Sequence, residues 1–271
     1  MKESLNIRTL ADMKKKGQKI VAVTAYDATF AALCDAAGVD IVLVGDSLGM
    51  VIQGHPNTLP VTLDQMLYHT KMVARALSRS FLVMDIPFHS LLTSKEEAIR
   101  ACVRALSEAG ACAVKIEGFT PYVLDLTSHL TSHGIPVMGH VGLTPQSVHQ
   151  LGGFRIQGKD PLSWSELIDR TLKLQYAGAF SVVLEAIPHE LARELTQKLF
   201  IPTIGIGAGP DCDGQVLVSY DLLGLNETYC PSFVKKYAQL AETVKTAVGT
   251  YAQEVRAGVF PEPSQRKTDL K

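Results

Sequence analysis

Five apolar runs in this chain end on polar side chains. Asp46 follows IVLVG, Asp85 follows FLVM, Lys115 and Glu117 lie in AVKIE, His140 follows PVMG, and Glu185 follows SVVL. Lys115 and Glu117 are two residues apart, so an extended strand points both to one side. Asp46, Asp85 and Glu117 offer hard oxygen donors, with no Cys-x-x-Cys pair and no His-x-x-x-His spacing near them. That donor set suits Mg²⁺, which takes few carboxylates and keeps positions open for water and substrate. A metal beside Lys115 suits an anionic, oxygen-rich substrate such as a 2-oxo acid. Glu185 is then placed to remove a proton next to the carbonyl. Each residue also has an ordinary explanation. An Asp after a strand caps a helix or a turn, Glu117 can simply pair with Lys115, and a lone His is commonly a hydrogen-bonding core residue. What favours chemistry is the repetition at one position of successive strands.

The elements that must hold these residues are short apolar strands alternating with amphipathic helices. Strands are predicted at Ile20–Ala25, Ile41–Val44, Phe81–Met84, Cys112–Ile116, Pro136–His140, Phe180–Leu184, Thr203–Ile206 and Val216–Val218. Asp27 caps a helix that Gly38 ends. Thr62 with Gln65, Ser94 with Glu97, and Ser163 with Glu166 have capping-box spacing. Met66, Thr70, Val73 and Leu77 mark one helix face, and Ile99, Cys102, Val103 and Leu106 another. Pro188 suits the first position of the helix carrying Leu191, Leu195 and Leu199. Val141 to Pro161 reads as a long loop, and loops of that length in compact domains are usually functional. Phe233, Tyr237, Leu240, Val244, Val248, Tyr251 and Val255 fall at helical spacing. The tail from Pro261 has a disordered composition.

Eight strands alternating with helices indicate an α/β protein with a parallel sheet. The preferred closure is a (β/α)₈ TIM barrel occupying residues 1–260 with the late helices, and 261–271 as a tail. An open doubly wound sheet is the alternative. In the barrel all the polar strand ends meet on one face, where such enzymes place their active sites.

Composition narrows the function classes. The 271 residues carry 26 Lys and Arg against 27 Asp and Glu, a net charge of −1, which gives no footprint for nucleic acid or an anionic membrane. No apolar run reaches the roughly 18 residues of a membrane span, and the first residues lack the apolar core of a secretory signal. Lys14 to Lys16 read as a solvated helix end. Five scattered cysteines argue against a disulfide framework and for the cytoplasm. GIGAGPDCDG fails the dinucleotide-fingerprint spacing, which disfavours an oxidoreductase. A tight turn is its favoured use, and a phosphate site after the seventh strand stays open on fold grounds alone. Ser47 lies outside any G-x-S-x-G motif, so it is not read as a hydrolase nucleophile.

Several segments together resemble one family: VGDSLGM, TLPVTLDQMLYHT, DIPF, VKIEG, PVMGHVGLTPQSV, GIGAG with DGQVLV, and PSFVKKY. They are similar to the ketopantoate hydroxymethyltransferases over about residues 4–260. Cys230 before Pro231 and the PDCDG segment depart from the family pattern, away from the candidate site. The resemblance implies a barrel of the phosphoenolpyruvate/pyruvate type. It implies transfer of a one-carbon unit from 5,10-methylenetetrahydrofolate to 3-methyl-2-oxobutanoate, through a Mg-stabilised enolate. It implies Asp46, Asp85 and Glu117 at one Mg²⁺ per subunit, Asp46, Ser47, Asp85 and Lys115 at the substrate, Glu185 as proton acceptor, and His140 in the active site. It also implies a homo-oligomer, typically a decamer, whose contacts the late helices serve. The rivals are another Mg-dependent lyase or aldolase of the same barrel type, which would turn over without folate, and a catalytically silent barrel, which would have lost the carboxylates.

Overall fold

The computed structural model describes residues 4–227, 230–262 and 265. In chain order the elements are α1 Ile7–Lys15, β1 Ile20–Thr24, α2 Ala28–Ala36, β2 Ile41–Val44, α3 Leu48–Val51, α4 Leu63–Ala76, β3 Phe81–Asp85, α5 Lys95–Ser107, β4 Ala113–Glu117, α6 Pro121–Ser132, β5 Val137–Gly142, α7 Trp164–Tyr176, β6 Ser181–Glu185, α8 His189–Lys198, β7 Thr203–Ile206, β8 Gly214–Leu217, α9 Ser219–Leu222 and α10 Leu240–Arg256. The strands close into a barrel in sequence order. All neighbours are parallel, and β8 returns to β1. The open-sheet alternative is therefore excluded.

The barrel is filled, as its strand pattern requires. Ile20, Ala22, Ile41, Leu43, Phe81, Val83, Ala113, Met138, Val183, Ile204 and Val216 form one buried cluster. These residues fix which parity of each strand points inward. Leu10 of α1 joins the cluster, with Leu5, Met13 and Phe180 packed against it. α1 thus plugs the end where the strands begin and leaves the opposite end for the site. Asn6 caps α1 reciprocally with Thr9. Lys14 departs from the solvated reading: its ammonium lies 2.6 Å from Asp213 Oδ2 and donates to the Thr196 carbonyl at 3.0 Å.

Other local expectations also need correction. Thr62 and Gln65 form the full capping box, but at Ser94 only the bond from Glu97 N is made. Ser163 caps nothing: a 3₁₀ turn over Pro161–Ser163 runs straight into α7 and leaves it in helical rather than extended conformation. Pro188 stands one position before α8, as its N-cap. The buried face of α5 is Ala98, Ala101, Cys102 and Ala105, while Val103 is exposed. The late helix starts at Leu240, because Tyr237 N and Leu240 N bond instead to the carbonyls of Leu222 and Leu223. Of the tail expected to be disordered, all but Pro261, Glu262 and Gln265 lies outside the described residues. One compact unit ends at Ser219 and a second begins at Tyr220. Among the described residues no helix is long and apolar enough to cross a membrane.

Asp35 anchors the turn that launches β3. It accepts bonds from Ser78 N and Oγ, Arg79 N, and Ser80 N and Oγ, at 2.6–3.1 Å. Burial would raise its pKa, but these donors outweigh burial and hold it below the ordinary carboxylate value. A depressed carboxylate adds stability above its unfolded pKa of about 3.9, and that stability is lost as pH falls. Asp35→Asn should therefore cost about 2 kcal/mol at pH 7, a figure held low because the group is partly exposed. The deficit should shrink below about pH 4. Urea melts at the two pH values check this, and equal midpoints at pH 7 would refute it.

Candidate active site

Strand register explains why the polar residues meet. Asp85 shares parity with Phe81 and Val83, Lys115 and Glu117 with Ala113, His140 with Met138, and Glu185 with Val183. All five therefore project into the barrel at the ends where the strands finish. Asp85 is opposite Lys115, Glu117 opposite His140, and Gly142 opposite Glu185. Asp46 follows β2 at the same end. Its backbone N–H donates to Asp85 Oδ2 at 3.1 Å. Gly45, at an inward position, makes this possible: a Cβ there would stand 2.7 Å from Ser47 Oγ and 3.4 Å from Asp85 Oδ2. Ser47 Oγ is 2.9 Å from the hydroxyl of the buried Tyr26.

Lys115 Nζ lies 2.5 Å from Asp85 Oδ1 and 3.8 Å from Glu117 Oε1. His140 bridges two carboxylates, with Nδ1 3.2 Å from Glu117 Oε1 and Nε2 3.2 Å from Glu185 Oε2. The Lys115–Asp85 pair and the two His140 pairs have ion-pair distances without hydrogen-bond direction. Asp85 Oδ1 and both His140 nitrogens are thus left without a directed partner. Asp46, Asp85, Lys115, Glu117 and His140 are all buried, and Glu185 is the most open of the set.

Sequence reading missed one member, Gln146. It lies on a 3₁₀ turn, Pro145–Ser147, just after β5. Its amide donates to Asp46 Oδ2 at 2.8 Å and to the Ile86 carbonyl at 3.0 Å, and its backbone N–H donates to Glu117 Oε2 at 3.1 Å. The signals in the sequence were its place in the long loop read as functional and in the PVMGHVGLTPQSV segment of the family resemblance.

The position of Glu185 is also shaped by backbone. Ala186 has φ +47, a conformation disfavoured for a residue with a Cβ. A Cβ on Gly142 would stand 2.2 Å from the Glu185 carbonyl oxygen. Leu143 N donates to that carbonyl and Gln157 N to the Ala186 carbonyl, both at 2.9 Å.

The charges do not balance. Four carboxylates (Asp46, Asp85, Glu117, Glu185) face two cationic groups, Lys115 and His140. Burial, then the charges of Asp85 and Glu117, push the Asp46 carboxyl up to about 8. Burial also raises Asp85, and Lys115 only partly offsets it. Burial opposes the charge on Glu117, but His140 and Lys115 overcome it and lower its pKa. Burial and then Lys115 oppose protonation of His140, yet Glu117 and Glu185 raise it to about 9. Burial opposes the Lys115 charge too, and Asp85, Glu117 and Asp46 hold its pKa above the lysine range.

Among the described residues no three His, Cys, Asp or Glu side chains form a ready-made metal cage. Lys115 sits against Asp85, and His140 against Glu117. A hard divalent ion that takes one or two carboxylates does not require such a cage. The residues present fit one: the donors are oxygens, Asp85 Oδ1 has no directed hydrogen bond, and the negative charge is in excess.

Residues 4–263 match the family described as ketopantoate hydroxymethyltransferase. The chain is 53% identical over 261 residues to the 3-methyl-2-oxobutanoate hydroxymethyltransferase of Pelobacter propionicus, covering 96% of each chain. It is 52% identical over 263 residues to the enzyme of that name from Magnetococcus marinus, covering 97% of this chain and 98% of the other. Among solved structures, phosphoenolpyruvate phosphomutase from Streptomyces platensis subsp. rosaceus superposes with a TM-score of 0.63 at 14% identity, over 94% of this chain and 88% of that one. At that identity the likeness establishes the barrel type alone. By sequence along almost its whole length, the chain belongs to the ketopantoate hydroxymethyltransferase family.

Proposed function

We propose that this chain transfers a hydroxymethyl group from 5,10-methylenetetrahydrofolate to 3-methyl-2-oxobutanoate, giving 2-dehydropantoate and tetrahydrofolate. This is the first step of the pantoate branch of pantothenate biosynthesis. The observation that carries the reading is the continuous line from Glu185 through His140 to Glu117, Lys115, Asp85 and Asp46 at one end of the barrel. Such a line offers a base at one end and an anion-binding, cation-binding pole at the other.

Asp46 and Asp85 would hold Mg²⁺, with Glu117 beside them. When bound, the ion would supply Lewis acidity toward the oxygens of the 2-oxo acid. Lys115 adds positive charge where the oxo acid's oxygens dock, and Ser47 offers a hydroxyl beside Asp46. Glu185 takes the proton from C3, and the electron pair left on that carbon forms the new C–C bond to the methylene carbon of the folate. The two bonds from that methylene carbon to the folate nitrogens break in turn, and water supplies the hydroxyl. The C3 proton and water's second proton end on the two nitrogens of tetrahydrofolate. His140 stands between Glu117 and Glu185, which favour its charged form, so we assign it to positioning the base.

The wider readings follow the same lines. Five free cysteines suit a reducing cytoplasm. α10 has no buried residue, and its Val244, Val248, Tyr251 and Val255 are exposed. Such a stripe suits a second copy of the chain in a homo-oligomer, of which a decamer is the expected form. We read residues 1–260 as one working barrel with its late helices.

The test is proton NMR of 3-methyl-2-oxobutanoate in D₂O with the protein and Mg²⁺. The C3 proton should exchange, exchange should stop with EDTA, and methylenetetrahydrofolate should bring a new hydroxymethyl signal. Exchange without that signal would point to a different electrophile, as in a lyase or aldolase of this barrel type. Absence of both exchange and product would overturn the reading.

A further inference from the structure

Gln146 touches three strand ends while carrying no charge. Both acceptors of its side chain, Asp46 Oδ2 and the Ile86 carbonyl, face the amide nitrogen. A carbonyl or a carboxylate oxygen cannot donate, so the amide orientation is fixed by its surroundings. Its backbone N–H takes one oxygen of Glu117. The residue is buried, and Ser147 N closes its turn on the Thr144 carbonyl at 2.8 Å.

The choice of an amide has a physical consequence. A Lys or Arg here would cancel negative charge that a divalent cation needs, and a Glu would add a fifth carboxylate to an unbalanced cluster. An amide donor directs one oxygen of Asp46 and leaves the charge of the pair intact. The side-chain donor takes one oxygen of Asp46, and the backbone donor takes Glu117 Oε2, whose other oxygen faces His140 Nδ1 and Lys115 Nζ.

We propose that Gln146 is a positioning residue that orients Asp46 and Glu117 for a divalent cation and so sets the cation affinity of the site. The inference rests on the metal reading above. Partners that orient metal ligands typically change affinity or activity by about 10–100-fold when removed.

The experiment is a Mn²⁺ titration of the EDTA-stripped full chain, reading free Mn²⁺ by its EPR signal, for wild type, Gln146→Met and Gln146→Asn. Met keeps the volume and loses both side-chain donors. Asn keeps the polarity and the backbone N–H but is one methylene short. Both variants should bind Mn²⁺ about 10–100-fold more weakly. Should Gln146→Met not fold, Gln146→Asn decides alone. A folded variant with wild-type Mn²⁺ affinity overturns the inference, and a lowered Tm with unchanged affinity would make Gln146 only a loop anchor. A wild-type protein that takes up no Mn²⁺ overturns the metal reading and this inference with it.

Discussion

Glu185→Gln should bind 3-methyl-2-oxobutanoate with near wild-type affinity while losing about 10³-fold in C3 proton exchange and in kcat. The charged groups at the proposed substrate pole, Lys115, Asp85 and Asp46, are untouched by this change. The amide is close in shape, so the loop anchored through Leu143 N and Gln157 N should stay in place. What disappears is the proposed proton acceptor. His140 loses one of the two carboxylates that favour its charged form and keeps Glu117 on its other side. Glu185→Asp should recover part of the rate, since it keeps the base but retracts it by one methylene. Exchange in D₂O at the wild-type rate by Glu185→Gln would place the base elsewhere. A raised KM with unchanged kcat would make Glu185 a binding group.

How much of this site can be read from sequence depends on which constraint each residue obeys. β7 has its predicted bounds, Thr203–Ile206, with Thr203 and Gly205 interrupting the apolar run. β2 also has the predicted bounds, Ile41–Val44, because a strand buried on both faces is an unbroken apolar run. The same pattern marks where such a run stops, so Asp46, Asp85, Lys115, Glu117, His140 and Glu185 stand out. Once the strands are placed, parity carries them to one pole. Side chains whose roles depend on the path of a loop leave no such trace. Gln146 is one polar residue among several after Pro145, and only the turn aims it at Asp46. The face of α5 was misread for a related reason: Ala98, Ala101 and Ala105 pack closely but carry little hydrophobic signal beside the larger Ile99 and Val103. Ser163 has the spacing of a cap and the wrong backbone, which the preceding 3₁₀ turn decides. The four-residue α3 leaves too short a pattern to register among the Gly and Pro of its loop.

The charge excess leads to an effect of opposite sign on stability and on activity. Asp46→Asn should cost at least about 10³-fold in kcat/KM, since it removes a proposed metal ligand from the pole where charge would develop, yet it should stabilise the metal-free protein. The sign follows from the raised pKa. An Asp that titrates near 3.9 when unfolded and at about 8 when folded favours the folded state only while protonated. That advantage is lost as pH rises from about 4 to about 8, and at neutral pH most of the penalty is present. Asparagine is never charged and can still accept from Gln146 through its carbonyl oxygen. Linkage would give several kcal/mol, and relaxation of the neighbours reduces it to about 2 kcal/mol, or roughly 5 °C in Tm for a chain of this size. The gap between variant and wild type should widen across pH 5 to 8 in EDTA. It should narrow or reverse when Mg²⁺ is added, because only the wild type gains binding energy from the ion. Melting curves of both proteins with EDTA and with Mg²⁺ read all of this at once. A variant less stable than wild type in EDTA at pH 7.5 would show that the buried carboxylates are balanced without a cation. The excess negative charge would then be no argument for metal at this pole.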